Sequence, residues 1–308
     1  VQWYLPNQHL YLLKQQISQD YLFVLSSLRR FLPGFLKNDA PIIPVVRLQG
    51  PIGMSSPLRP GLSLATAALP LERAFSMKKA PAVALIVNSP GGSPVQSRLI
   101  FQRIRDLAKE NEKDVLVFVE DVAASGGYMI ALAGDEIIVD PSSVVGSIGV
   151  VAAGFGFTEL IGKIGVERRV YTAGEKKVTL DPFQPEVPED IEYLKTLQQE
   201  IHDTFIDMVK SRRADVLSDD PDLFTGKFWT GSSAVNLGLV DSIGDLRGVL
   251  KKRYGDKAEA KLISAPRGLF GRKGGVGVKL EAGALTAGLG NELISAAEER
   301  LMWQRFGL

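Results

Sequence analysis

Two short runs hold the residues best equipped for chemistry. In Asp121-Val122-Ala123-Ala124-Ser125-Gly126-Gly127-Tyr128 a serine stands among small residues. There the chain can turn sharply and present the hydroxyl at the start of a helix, although Ala123 occupies the first glycine position of a G-x-S-x-G elbow. In Asn88-Ser89-Pro90-Gly91-Gly92-Ser93 two consecutive glycines let backbone amides face outward and approach a ligand closely. An oxygen nucleophile beside outward amides is the equipment of acyl transfer. Each run also has a plainer reading, Ser125 as a helix N-cap and the glycine pair as a tight turn.

A serine nucleophile needs a base, and the composition restricts the choice. The 308 residues include no cysteine and two histidines, His9 and His202. Thiolate chemistry, disulfides and multi-histidine metal sites are therefore excluded. His9 lies in an N-terminal stretch, and His202 sits beside the apolar stripe of a long helical pattern, where a structural role is expected. Lysine remains, provided burial or neighbouring charge lowers its pKa from the ordinary value of about 10.4. Most lysines sit in solvated runs such as Lys251-Lys252, but Lys176 and Lys177 follow an expected strand in "VYTAGEKKVTLDPF". The plain alternative for that pair is a charged turn.

The elements that must position these residues read as α/β. Apolar runs at 45–48, 82–87 and 115–119 predict buried strands, and Leu99, Ile100, Ile104 and Leu107 predict a helix between the last two. That alternation predicts parallel strands with helical crossovers, both motifs then lying at strand C-termini, where open α/β sheets bind ligands. Further strands are expected at 136–139, 144–151 and 167–171. A helix is expected over 189–213, with Ile191, Leu194, Leu197, Ile201, Phe205 and Met208 as its buried stripe.

The expected organisation is an N-terminal amphipathic segment over 1–40, a catalytic domain over 41–267 and a Gly-rich tail over 268–308 with a terminal helix near 292–306. Asp20–Asn38 is broken by Arg29-Arg30 and Pro33-Gly34, which suits a docked or interfacial helix better than a span. The chain opens on Val1 rather than Met, consistent with a fragment whose upstream anchor is absent. Lys plus Arg (36) nearly balances Asp plus Glu (35), so no global charge favours nucleic acid.

Taken in order, "VNSPGGS", "DVAASGGYMIALAGDEI", "VGSIGV", "AGEKKVTLDPF" and "TGSSAVNLGLVDSIG" resemble the motifs of signal peptide peptidase A (SppA/SohB-type) serine peptidases over about residues 41–266. The resemblance implies a ClpP/crotonase-like α/β fold, a curved parallel sheet spiral covered by helices, and a Ser-Lys dyad without cofactor or metal. It makes Ser125 the nucleophile. Lys177 becomes the base, because Gly174, Lys177 and Pro182 fit the family's Gly-x-x-Lys and following Pro. Gly92, and less directly Gly91, pairs with the amide of Gly126 as the oxyanion hole. Ser147, in Gly-Ser-Ile-Gly, is a candidate for orienting the lysine.

Remnant signal peptides or other unfolded, membrane-associated peptides are the implied substrates. Double-length relatives carry two such domains, whereas this chain has one copy of each motif. That implies a homo-oligomeric ring with sites shared between protomers. A membrane-associated location is implied, peripheral or through an upstream anchor, with a cytoplasmic one as the alternative. Two rival functions remain. One is a crotonase-type acyl-CoA enzyme working through Glu120, Asp121 or Asp135; the other is a non-catalytic ring scaffold.

Overall fold

The computed structural model describes residues 40–54, 61–174, 176–264 and 295–308. The chain divides into two units, Val1–Pro41 and Ile42–Leu308, and the second carries the site. The expected amphipathic stretch, His9 and the Gly-rich run lie outside the described residues, whereas a helix covers 295–304.

Strands β1 (Ile42–Gln49), β2 (Ala82–Ser89) and β3 (Asp114–Ala124) contain the three expected runs and pair in parallel. Alternate residues face opposite sides. Val83, Leu85, Val87, Val115, Val117 and Val119 enter the main core, under α1 (Leu64–Phe75) and α2 (Pro94–Asn111). Their neighbours Ala82, Ala84, Ile86, Leu116 and Phe118 enter a smaller core with Leu250 of α6 (Leu246–Tyr254). Burial on both faces explains why these runs are continuously apolar. Ser93 caps α2 by accepting from Gln96 N, with Pro94 in the first turn, so the helix starts where the glycine motif ends.

β3 is the longest strand and pairs with two successive strands on one edge. Its first half pairs with β4 (Glu136–Val139), its end with β5 (Val144–Gly146), and both pairs are parallel. The main path runs β6-β5-β3-β2-β1-β8, while β4 pairs with β3 and β7. Here β6 is Phe228–Thr230, β7 is Ser242–Ile243 and β8 is Glu259–Leu262; β6 alone pairs antiparallel among these strands. A parallel-rich sheet flanked by helices is the α/β arrangement expected from the motifs.

Two expectations about strands require correction. The run expected at 144–151 ends at Gly146, because Gly146 (φ 103°) and Ser147 (φ 53°) turn the chain out of the sheet. No strand forms over 167–171. That run is exposed and is tied within its own segment, where Arg168 Nε donates to Asp181 Oδ2 at 2.8 Å and the guanidinium lies over the Phe183 ring.

The long helix α5 (Pro188–Arg213) forms as expected, but its stripe is buried only near its C-terminal end. Phe205 and Val209 reach the core, whereas Leu197 and Ile201 are exposed. Ahead of α5, helix α4 (Thr158–Lys163) buries no residue, and Val151, Phe155, Ile164 and Tyr171 are exposed. The described residues of 151–201 thus form an arm in which none is buried.

The base of α5 is held by charge. Arg213, only 8% exposed, donates from Nη1 to both carboxylate oxygens of Asp241 at 2.9 Å and from Nε to Gly238 O. Asp241 also accepts from Ile137 N. Asp241→Ala would leave a nearly buried guanidinium short of its counter-ion and is expected to cost about 3 kcal/mol. A denaturant titration with unchanged m-value and a lower midpoint is the expected result.

Candidate active site

Ser125 occupies the turn between β3 and α3 (Gly126–Ala131) with φ 52° and ψ −121°, a conformation L-residues rarely adopt. Its N–H donates to Gly146 O at 2.8 Å, so the end of β5 holds the turn. The side chain makes no capping bond. A serine serving as an N-cap would spend its hydroxyl on the first amides of the helix. Here strain is concentrated at a half-buried residue whose oxygen has no hydrogen-bond partner among the described residues, the pattern of a nucleophile elbow. All six residues of α3 are buried, and Tyr128 OH donates to Leu239 O at 2.6 Å, tying this helix to the "TGSSAVNLGLVDSIG" segment.

The glycine loop lies directly against this turn. A Cβ on Gly91 would stand 2.8 Å from Ser125 Cβ and 3.0 Å from Gly126 N; one on Gly126 would stand 3.4 Å from Gly92 N. Only glycine permits such an approach, and Gly91 (φ 106°) and Gly92 (φ 136°) also adopt positive φ. The two candidate amides can be told apart. Gly91 N–H donates to Ser89 Oγ at 3.3 Å. Among the described residues, the N–H groups of Gly92 and Gly126 have no protein acceptor. Two unspent amides from two loops beside one unspent hydroxyl suit a developing oxyanion.

The other expected residues are placed less uniformly. Ser147 is buried and follows Gly146, and its N–H donates to Lys227 O at 2.7 Å. Lys177 is exposed on the arm, and its N–H donates to Gly174 O at 3.2 Å. No contact within the described chain joins its ammonium to Ser125. Lys176 Nζ lies 3.8 Å from Asp190 Oδ1 in the first turn of α5. Lys113, whose pKa burial lowers, donates to Phe75 O and Met77 O, just ahead of β3 and at the opposite end of that strand from Ser125. His202 Nε2 contacts Ile148 O at 3.1 Å, in keeping with a structural role.

The rival carboxylates are committed elsewhere. Glu120 pairs with Arg47 at 2.6 Å, and Asp121 accepts from Asn88 Nδ2 at 2.7 Å. Asp135 is shared by Arg105, Arg212 and Val115 N. The motifs marked the run holding Asn88 and Ser89 but gave neither residue a role. Their polar side chains between a buried strand and two glycines were the available signal.

The peptidase family S49 model matches residues 107–259. A protease-named chain of Synechocystis sp. is 30% identical over 237 residues, covering 75% of this chain and 82% of that one. The chain belongs to peptidase family S49. Protease 4 of Haemophilus influenzae is 35% identical over 182 residues, covering 59% of this S49 chain and 29% of its own length. A Brucella abortus protein named Na(+)/H(+) antiporter NhaA is 63% identical over 297 residues, 92% of this chain. The S49 chain spans 40% of the length of that relative. Among the described residues of this S49 chain, no helix is long and apolar enough to cross a membrane.

Proposed function

We propose that the chain is a serine endopeptidase whose site combines Ser125 of one protomer with Lys177 of its neighbour in a homo-oligomeric ring. The observation that carries the reading is the strained Ser125 with its uncommitted hydroxyl beside the unspent amides of Gly92 and Gly126. Family membership supplies the reaction class. Neutral Lys177 takes the proton of Ser125 Oγ as the oxygen attacks a peptide carbonyl. The amides of Gly92 and Gly126 hold the oxyanion, each contributing about 3–4 kcal/mol. Lys177 then protonates the departing amine, and water releases the acyl group from Ser125. Ser147, beside the turn, is the proposed orienter of the lysine.

The exposed arm supports the shared site. Lys177 shares it with exposed Phe155, Ile164 and Tyr171, a surface that a neighbouring protomer would cover. Remnant signal peptides and other unfolded, membrane-associated peptides are the proposed substrates, and a peripheral membrane location suits them. The commitment of Glu120, Asp121 and Asp135 to structural partners weighs against the acyl-CoA reading. A fluorophosphonate probe is expected to label the chain at Ser125, with labelling lost in Ser125→Ala. Absence of label on the assembled protein would overturn the serine peptidase reading.

A further inference from the structure

We propose that Ser89 is a positioning residue for this site, its buried hydroxyl holding the glycine loop so that the Gly92 amide stays free for the oxyanion; this rests on the serine peptidase reading. Ser89 is fully buried. Its Oγ donates to Gly50 O at 2.7 Å and accepts from Gly91 N at 3.3 Å, linking loops 39 residues apart in sequence. The pairing of β2 with β3 shifts register between Val87 and Ser89 and its last pair is Ser89 with Ala123, so this ladder no longer holds the chain beyond Ser89, where the loop begins.

Beyond that point the segment at 50–53 takes over. Gly50 N donates to Asn88 O, Ile52 N to Gly91 O, and Ser93 N to Ile52 O. These bonds use the carbonyl of Gly91 and the N–H of Ser93, and because Gly91 C=O and Gly92 N–H point to opposite sides of one trans peptide, the Gly92 N–H faces away from the 50–53 segment. Ser89 also touches the nucleophile loop, since a Cβ on Gly127 would stand 2.4 Å from Ser89 O.

The need for such a brace follows from the glycines. Two consecutive glycines have little intrinsic preference for one backbone conformation. Removing the hydroxyl would leave the buried Gly91 N–H without its acceptor, and rotating the Pro90–Gly91 peptide to satisfy it changes the φ of Gly91, one of the torsions that aim the next peptide and its Gly92 N–H. The damage should therefore appear in the transition state, where the oxyanion forms, and leave ground-state peptide binding intact.

The test compares wild type, Ser89→Ala and Ser89→Thr as assembled proteins, with Ser125→Ala as control. It measures the maximal rate and half-saturation of fluorophosphonate labelling, kcat and KM on a fluorogenic peptide, and the thermal midpoint. Ser89→Ala is expected to lower the maximal labelling rate and kcat by roughly 10- to 100-fold, less than outright removal of an oxyanion donor. KM and the half-saturation should stay within about twofold, and Ser89→Thr should recover most of the rate. Wild-type rates in Ser89→Ala, or a loss in which KM rises as much as kcat falls, would overturn the positioning role while labelling of wild type upholds the peptidase reading. A wild type that does not label at all would remove both.

Discussion

Lys177→Ala is expected to lower turnover by about 10^4-fold, while Lys176→Ala keeps most of it. Adjacent lysines in a turn look alike in composition, but their surroundings differ. Lys176 lies 3.8 Å from Asp190 and so leans on the first turn of α5, whereas Lys177 has no ion pair among the described residues. Lys177 also stands in the frame of Gly174, with φ 104°, and Pro182, whose carbonyl accepts from Phe157 N at 2.6 Å. That bond, together with the stacking of Phe157 on Phe183, ties the ends of the arm's loop together. The loop therefore has a definite shape in which the two lysines are not interchangeable. The measurement is peptide turnover by each purified variant at matched assembly state. An inactive Lys176→Ala beside an active Lys177→Ala would move the base by one residue.

Mixing Ser125→Ala with Lys177→Ala, each inactive alone, is expected to restore turnover once subunits exchange. Lys177 is exposed on its own protomer, and the arm that carries it displays Val151, Phe155, Ile164 and Tyr171 to solvent. Apolar surface of this kind gains free energy by association. In an equal mixture with random neighbours about one quarter of the boundaries would join an intact serine to an intact lysine, so roughly that share of wild-type activity should return. Sites built within one protomer allow no such boundary. Zero activity after subunit exchange has been verified by mass would refute sharing and leave the dyad itself standing.

The sequence alone determined the parts whose signals are local. Continuous β-branched runs marked β2 and β3, the apolar spacing of Leu99 to Leu107 marked α2, and Glu136–Val139 was recovered residue for residue as β4. Both loops were also legible, because small residues around a serine and a pair of glycines permit the sharp turns and positive φ that larger residues exclude. Other elements were less visible. Strands β6 and β7 carry too few residues to show a period, β8 is exposed along its whole length and has no apolar run, and α1 has Pro70 within it.

What only the tertiary structure decided is how these pieces use one another. The stripe on α5 reads as uniformly buried because helical spacing reports which face is apolar, not whether anything covers it; Phe205 is covered and Leu197 is not. Whether Ser125 caps its helix, which of Gly91 and Gly92 keeps a free amide, and why Ser89 is a serine depend on bonds to Gly146, to Ser89 itself and to Gly50. The Ser125–Gly146 and Ser89–Gly50 bonds join segments separated by more than twenty residues. Backbone preference acts over a few residues, whereas the partner of a buried polar group is set by packing that brings distant strands together.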